Sequence, residues 1–221
     1  MNAAQQDRFT LTKLPDSVVI QRVLEGEKEL FEILLRRYNQ RLFRVVRSYI
    51  HSEDDARDIM QDAYVKAYLK LKQFNNQSSF STWLIRIGIN EALQYLRKRK
   101  RQTTNYGETE SIENVFHLPG TNQMNPEKQT IKTETRALVE QAVDRLPEKY
   151  RVVFVLQQVE GLSNPEIADC LKLTDSNVKV RLHRAKNLLK EELFKTTHDT
   201  SIFEFGNYKC DAVVANVMAR I

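Results

Sequence analysis

Apolar residues recur three or four positions apart along most of this chain, and charged residues fill the positions between them. This spacing places the apolar side chains on one face of an α-helix. It extends over residues 16–50 and 54–71 and resumes at residue 137. We find no convincing strict alternation of the kind typical of a half-buried β-strand, and no internal repeat of useful length. The sequence therefore predicts an all-α fold.

A break in the pattern divides the chain. Residues 102–130 have no sustained period and collect Gly, Pro, Asn and Thr, which is typical of a linker. A chain of 221 residues has room for two small domains. We predict two helical domains joined by a flexible linker, the second containing a helix-turn-helix. We predict a first domain over residues 1–101, a linker over 102–135, a second domain over 136–195 and an extension of unknown role over 196–221.

Composition excludes several classes of protein. Cys170 and Cys210 lie in different neighbourhoods without a C-x-x-C pairing, which argues against a disulfide scaffold and a zinc site. We find no apolar run of about 18 residues and no leader pattern, so we expect a cytoplasmic protein. Phosphate-loop and zinc-protease motifs are missing, and no convincing nucleophile lies beside a base. We therefore expect neither enzymatic activity nor a cofactor.

The net charge of +5 is unevenly distributed. Residues 1–101 carry 19 Lys and Arg against 12 Asp and Glu, and residues 136–195 carry 11 against 9. Between them, residues 102–135 carry 2 against 5. Two basic blocks flanking an acidic connector favour a polyanion held at both ends. Charge alone does not separate nucleic acid from an acidic protein or a membrane surface.

The helix predicted in "WLIRIGINEALQYLRKRKR" begins with an apolar stripe around Trp83 and ends in five successive cations, residues 97–101. The helix dipole accounts for one or two cations in a last turn. It does not account for five. We expect Trp83 to pack in the core, the cationic end to grip phosphate, and Ser81 to cap the start of the helix.

A second pattern, in "LQQVEGLSNPEIADCLKLTDSNVKVRLHRAKNLLKEEL", predicts a helix-turn-helix. Gly161 can end one helix, and Ser163 with Glu166 forms a capping box for a short helix over 164–171. Thr174 or Asp175 then caps a longer helix with one apolar face. Its polar face carries Ser176, Lys179, His183, Arg184 and Asn187. An ordinary helical hairpin with a solvated face remains the alternative.

The stretch "DDARDIMQDAYVKAYLKLKQF" predicts a helix with an apolar stripe and a charged face. Spacing alone favours a solvated face, with ion pairs such as Asp62 with Lys66 contributing a few tenths of a kcal/mol.

Together, "DDARDIMQDAYVKAYLKL" through "FSTWLIRIGINEALQYLRKRKR" and "LPEKYRVVFVLQQVEGLSNPEIADCLKLTDSNVKVRLHRAKNLL" resemble the two regions of a bacterial RNA polymerase sigma factor of the extracytoplasmic-function group, in the sigma-70 family. The resemblance covers residues 17–193. It implies a promoter-specificity factor that binds core RNA polymerase and promoter DNA, recognises the minus-ten and minus-thirty-five elements, and nucleates promoter melting. Such factors are commonly held inactive by an anti-sigma factor, the further partner that the resemblance suggests.

The resemblance also implies roles for individual residues. Three on the charged helix would contact core polymerase: Asp58, Gln61 and Asp62. Five would contact the minus-ten region, with the first two accepting a flipped-out base: Phe74, Asn90, Arg97, Lys98 and Arg99. Five would contact the minus-thirty-five element, with Arg181 on a phosphate: Ser176, Lys179, Arg181, His183 and Arg184. Val180 is bulkier than the small polar residue expected there, which leaves the base preference open.

Two other function classes stay open on the sequence. One is a stand-alone helix-turn-helix regulator, and the other is a helical protein-interaction adaptor. In the extension, a short amphipathic pattern around Val213 and Val217 predicts a helix docked on the second domain, and a regulatory role that includes redox sensing by Cys210 is the alternative.

Overall fold

The computed structural model describes residues 14–106, 126–197 and 218, and within these ranges it contains helices and no strand. The all-α prediction is confirmed. Short 3₁₀ turns occupy Lys28–Leu30 and Leu71–Gln73. The α-helices in chain order are α1 (Asp16–Leu24), α2 (Phe31–Arg47), α3 (Glu53–Leu69), α4 (Phe80–Tyr106), α5 (Pro126–Asp144), α6 (Glu148–Phe154), α7 (Asn164–Leu171) and α8 (Asp175–Thr197).

Helices α1 to α4 form the first half of the molecule. The break predicted near Gly26 is present, since Gly26 has a φ of +115° that favours glycine. Ser52 caps α3 by accepting a hydrogen bond from the Asp55 backbone N–H at 3.2 Å. The apolar faces of α2, α3 and α4 pack on one another. Their fully buried side chains include Leu34, Leu42, Val46, Leu84 and Ile89.

The start of α4 differs from the prediction. Helix α4 begins at Phe80, and the residue that caps it is Ser79, whose Oγ accepts from the Thr82 backbone N–H at 3.1 Å. Ser81 lies inside the first turn, is buried, and its hydroxyl has no partner. The prediction that Ser81 caps this helix is therefore wrong, since the cap lies two residues earlier, at Ser79. Serine is a favoured capping residue, so residue type alone did not distinguish Ser79 from Ser81.

Helices α5 to α8 form the second half. Helix α6 follows Pro147 and continues as a π-helical turn, Val155–Val159, before Gly161 reverses the chain with a φ of +72°. The capping box of Ser163 and Glu166 begins α7. Thr174 caps α8, because its Oγ1 accepts from the Asn177 backbone N–H at 3.2 Å. The predicted helix-turn-helix is present as α7 and α8.

Helix enters both ends of the segment predicted as a linker. Helix α4 runs on to Tyr106 and α5 begins at Pro126. The first two residues of the predicted extension, 196–197, belong to α8. Residues 107–125 and 198–217, which include Cys210, and residues 219–221 lie outside the described residues. The proposed domain limits therefore stay a prediction.

The two halves share one apolar cluster, in which Val153, Leu156 and Ile167 of the second half join the core residues of the first. Arg151 on α6 is 5% exposed and donates from Nε to the Ser48 carbonyl oxygen at 2.7 Å. That carbonyl lies just past the end of α2. The second half is thus packed on α2, and its helix-turn-helix lies beside the start of α4.

The close approach of α2 and α4 generates a stability prediction. A Cβ placed on Gly88 would lie 2.5 Å from Cδ1 of Leu42, which is fully buried. Replacing a glycine inside a helix by alanine ordinarily stabilises by roughly 1 kcal/mol. Here we expect Gly88→Ala to lower the free energy of unfolding by about 1–3 kcal/mol, because the added methyl overpacks the core. Urea unfolding measures this change.

A double-mutant cycle provides the control. In a Leu42→Ala background the methyl that Gly88→Ala meets is gone, so the same substitution should become neutral or stabilising. A stabilising Gly88→Ala in the wild-type background would contradict this account of the helix contact.

Candidate nucleic-acid interface

Helix α4 has an apolar start and a cationic end, as predicted. Leu84 and Ile85 are each 1% exposed, whereas all five cations from Arg97 to Arg101 are exposed. Arg97, Lys98 and Arg101 line one groove together with two glutamines, Gln94 and Gln102. Arg99 is placed differently: its side chain is hydrogen-bonded to that of Tyr95, beside Asp55.

An aromatic cluster stands at the start of α4. The ring centroids of Phe74, Phe80 and Trp83 lie 5.3 to 5.7 Å apart. Phe80 is 2% exposed and closes the cluster over the core, whereas Phe74 and Trp83 are only partly buried. Phe74 has an extended backbone, and the loop that follows it contains Asn76 in the left-handed region, with a φ of +58°. Phe74 is thus a half-buried member of the cluster at the start of this loop.

One face of α4 joins this cluster to the cationic groove. The residues Trp83, Ile87, Asn90, Gln94, Arg97 and Arg101 follow one another at intervals of three or four, which puts them in a row along the helix. We call this row the α4 strip. It is about 27 Å long at about 1.5 Å per residue. Asn90 is exposed in the middle of it. An aromatic platform, an amide and cations therefore follow one another along one line.

Helix α8 presents the polar face expected of a DNA-reading helix. Val178 and Ala185 are fully buried against the rest of the second half, whereas Ser176, Lys179 and His183 are exposed. Most of the polar contacts on the exposed face are local. Lys179 pairs with Asp175 at 2.7 Å, Arg181 Nε donates to Asn177 at 2.8 Å, and His183 contacts Asn187 at 3.1 Å.

Arg184 is the member of this set that is tied to another helix. Its guanidinium donates to the Tyr150 hydroxyl on α6 at 3.3 Å, and this hydrogen bond lowers the pKa of Tyr150. Arg184 therefore marks the edge of the exposed face, where α8 meets α6.

The face of α3 predicted to contact a protein partner is exposed at Asp58, Gln61 and Asp62. The same face carries two exposed apolar side chains that the sequence reading missed, Val65 at 59% and Leu69 at 72% exposure. Their positions follow Asp58 at helical intervals, so the spacing was the signal that could have found them. We call these five residues the α3 face. Exposed apolar groups beside carboxylates are typical of a protein-binding surface.

Lys66 has a different partner from the one predicted. Its Nζ pairs with Glu91 on α4, which is buried, and not with Asp62. The i, i+4 rule for Asp62 and Lys66 was overridden by a contact between helices, which leaves Asp62 exposed on the α3 face.

Two family models match the chain. Sigma-70 region 2 matches residues 34–102, which contain most of α2 and all of α3. Sigma-70 region 4 matches residues 136–189, which contain α6, α7 and the first 15 residues of α8. Among curated proteins, the RNA polymerase sigma-H factor of Pseudomonas aeruginosa is 31% identical, over 83% of this chain and 96% of that protein. The ECF RNA polymerase sigma-E factor of Escherichia coli K12 is 32% identical, over 82% and 95%.

The chain belongs to the extracytoplasmic-function group of the sigma-70 family. It is a promoter-specificity sigma factor, and its family is one of transcription initiation factors. The resemblance seen in the sequence is confirmed.

Solved structures agree with this assignment. The sigma factor RpoE in complex with the anti-sigma factor NepR from Bartonella quintana has a TM-score of 0.61 at 26% identity, over 76% of this chain and 98% of that one. CnrH in complex with the cytosolic domain of CnrY has a TM-score of 0.56 at 27% identity, over 81% and 97%. In the part of the sigma factor that the structure describes, no helix combines the length and apolar character needed to cross a membrane.

The capping box of α7 also contacts α4. Glu166 accepts from the Ser163 backbone N–H at 2.9 Å and from the Ser163 hydroxyl at 2.7 Å, and its other oxygen accepts from the Thr82 hydroxyl at 3.0 Å. The hydrogen bonds from Ser163 are the main cause of a pKa of Glu166 below its ordinary value of 4.5. The helix-turn-helix and the first turn of α4 therefore share one carboxylate.

The lowered pKa of Glu166 predicts an acid-dependent loss of stability. The stabilising contribution is fully present above the ordinary pKa of 4.5 and is lost as the pH falls through the lower pKa of the folded state. Glu166→Gln should lower the free energy of unfolding at neutral pH by about 1 kcal/mol, the usual size of a capping interaction. It should also lose less of its remaining stability on acidification than the wild type. Urea unfolding at neutral pH and below pH 4.5 compares the two proteins.

Glu191→Gln, on an exposed stretch of α8, is the matched control and should leave the neutral-pH stability unchanged. Equal acid sensitivity of the wild type and Glu166→Gln would show that Glu166 does not carry this effect.

Proposed function

We propose that the two halves of this sigma factor bind two elements of one promoter while the α3 face holds core RNA polymerase. In this proposal residues 1–101 serve the minus-ten element and the polymerase, and residues 136–195 serve the minus-thirty-five element. The single observation that carries the proposal is the α4 strip, which sets aromatic, amide and cationic groups in one row along the helix, half-buried at Trp83 and exposed from Asn90 onward.

The α4 strip is suited to an opened DNA strand. Opening a promoter needs no bond-making chemistry; it needs a surface that binds the open strand better than the duplex. Extruding a base costs a few kcal/mol, which stacking and hydrogen bonds to its edge return. We assign base capture to Phe74 and Asn90, because Phe74 is a half-buried aromatic at the start of the loop and Asn90 is an exposed amide along the strip. Arg97 and Lys98 then bind phosphates. Arg99, which lies beside Tyr95, adds positive charge to the same cationic end of α4.

The exposed face of α8 is suited to duplex DNA. A recognition helix enters the major groove with polar and cationic side chains of its N-terminal half, where arginine and lysine pair with guanine edges. We assign base or phosphate contacts to Ser176, Lys179, Arg181, His183 and Arg184. Arg181 is partly buried and the other four are exposed. The Lys179 pair with Asp175 is of the weak surface type that a phosphate can replace.

The remaining parts of the proposal concern activity and partners. The chain carries no reaction of its own, and the polymerase makes the RNA. It acts in the cytoplasm, where core polymerase and promoter DNA are. An anti-sigma factor is a further partner, a proposal supported by similar sigma factors whose structures contain one.

The base-capture assignment predicts a defect in promoter melting. Asn90→Ala should reduce the equilibrium for opening the minus-ten element by roughly five- to hundredfold, the effect of about 1–3 kcal/mol lost at a base edge. Binding to core polymerase should survive, because Asn90 is exposed and is not one of the residues of the α3 face. Permanganate reactivity of unpaired thymines in the minus-ten element measures the opening.

Asn39→Ala, at an exposed position of α2, is the matched control for this experiment. Phe74→Ala should give the same defect as Asn90→Ala, with some loss of stability because Phe74 packs on Phe80 and Trp83. Unchanged melting in Asn90→Ala would dismiss Asn90 as a base contact.

The polymerase-docking assignment predicts that both charged and apolar members of the α3 face matter. Asp62→Lys and Leu69→Ala should each weaken binding to core polymerase by roughly tenfold or more, since buried contacts at the centre of an interface dominate its affinity. Both side chains are exposed in the isolated chain, so the fold should persist. Fluorescence anisotropy titration with purified core enzyme measures the affinity.

Glu29→Lys, an exposed site outside the α3 face, controls for the change in net charge. If Leu69→Ala binds core polymerase as tightly as the wild type does, the apolar part of the α3 face has no role in docking.

A further inference from the structure

Helix α8 exposes an apolar side chain in the middle of its polar face. Val180 is 53% exposed, whereas the side chains that pack α8 on the rest of the second half are buried: Val178, Leu182 and Ala185. Because successive residues are turned by about 100° around a helix, Val180 lies almost opposite to that buried stripe. It therefore stands at the centre of the exposed face that the proposed function assigns to duplex DNA.

Polar side chains surround Val180 on this face. Ser176 and Arg184 lie four positions before and after it, and His183 lies three positions after it, so these residues are its neighbours on the helix surface. All three are exposed. The side chain of Val180 has no polar atom and cannot make the hydrogen bonds that its neighbours can make. Val180 is thus an apolar point within a hydrophilic face.

Helix stability does not explain a valine at this position. A β-branched side chain loses rotamer freedom in a helix, so valine is less favourable there than alanine by roughly half a kcal/mol. Val178 regains this cost by packing in the core, whereas Val180 leaves about half of its surface in water. Single exposed apolar residues are common on proteins and need no explanation by themselves. What distinguishes Val180 is its place at the centre of the face that enters the major groove.

The chemistry of the valine side chain restricts which base it can recognise. The major-groove edges of guanine, adenine and cytosine present hydrogen-bond donors and acceptors, which polar side chains read. The isopropyl group of valine has neither. Packing it against a polar base edge would remove that edge from water without replacing the hydrogen bond, which is costly. The apolar group that the major groove offers is the C5-methyl of thymine, so thymine is the base that matches Val180.

We propose that Val180 is a specificity-determining residue of this sigma factor, which selects one thymine of the minus-thirty-five element by packing on its C5-methyl. This inference rests on the proposed function, in which α8 reads duplex DNA, and adds a base preference to it. The stiff side chain of valine suits such a contact, because little rotamer entropy is lost when it is buried against the DNA. Lys179 and Arg184 set the position of the helix through phosphates or guanine edges.

Deoxyuridine tests this contact one methyl group at a time, because it differs from thymidine only by the missing C5-methyl. The probe is a promoter duplex that the holoenzyme, this chain bound to core polymerase, selects from a randomised library. Each thymine of its minus-thirty-five element, on either strand, is replaced singly by deoxyuridine, and fluorescence anisotropy measures the affinity of the holoenzyme. At one position the wild type should bind the deoxyuridine duplex about fourfold more weakly, which corresponds to about 0.8 kcal/mol for one buried methyl group.

Val180→Ala completes a double-mutant cycle between the side chain and the thymine methyl. The variant should bind the thymidine and deoxyuridine duplexes equally at that position, since alanine lacks the methyl groups that make the contact. Its fold should persist, because Val180 is exposed and alanine is the better helix former. Glu191→Ala, at an exposed position in the C-terminal half of α8, is the matched control and should keep the fourfold preference. A merely structural role of Val180 would weaken binding to both duplexes alike.

The proposal would be overturned by the same ratio of affinities in the wild type and Val180→Ala at every thymine, or by a selected minus-thirty-five element without thymine on either strand. Lys179→Ala separates this failure from a failure of the proposed function. If Lys179→Ala weakens binding while no thymine methyl couples to Val180, α8 reads DNA without Val180. If Lys179→Ala and Val180→Ala both leave the affinity for every duplex unchanged, α8 does not bind this element, and the proposed function fails together with the inference.

Discussion

The arrangement of the two halves depends on the ion pairs that the carboxylate of Glu160 makes with two arginines. The carboxylate is fully buried, and Arg41 and Arg44 satisfy it from α2 of the other half. A buried charge without partners is strongly unfavourable, so the second half can settle on α2 only in the register that brings these three groups together. That register also aligns Arg151 with the Ser48 carbonyl and sets α7 against the start of α4.

The surfaces that carry the function lie outside this contact. The α4 strip, the exposed face of α8 and the α3 face are each built on a helix whose opposite side is buried in apolar contact. Rigid helices hold such surfaces more precisely than loops do, which suits a protein that must present several contacts to one large enzyme and one DNA duplex. A catalytic site is not needed for this, because the free energy for melting comes from preferential binding to the open strand.

Local patterns in the sequence predicted much of the fold and part of the candidate site. Helical periodicity predicted the helices, and Gly161 with the capping box predicted the turn before α7. Contacts between residues far apart in sequence were not predictable in this way. The Lys66 pair with Glu91 and the Glu160 pair with Arg41, 119 positions apart, depend on how whole helices pack. The assigned DNA and polymerase contacts came from family resemblance and stay predictions.

Run-off transcription with purified core polymerase and a library of randomised promoters tests the central claim most directly. Core enzyme that lacks its own specificity subunit should start RNA chains at defined positions only when this chain is added, and the selected templates should share two separated elements. A chain that fails to associate with core polymerase and yields no promoter-dependent transcript, while its second half still binds duplex DNA, would contradict the account and leave a stand-alone regulator in its place.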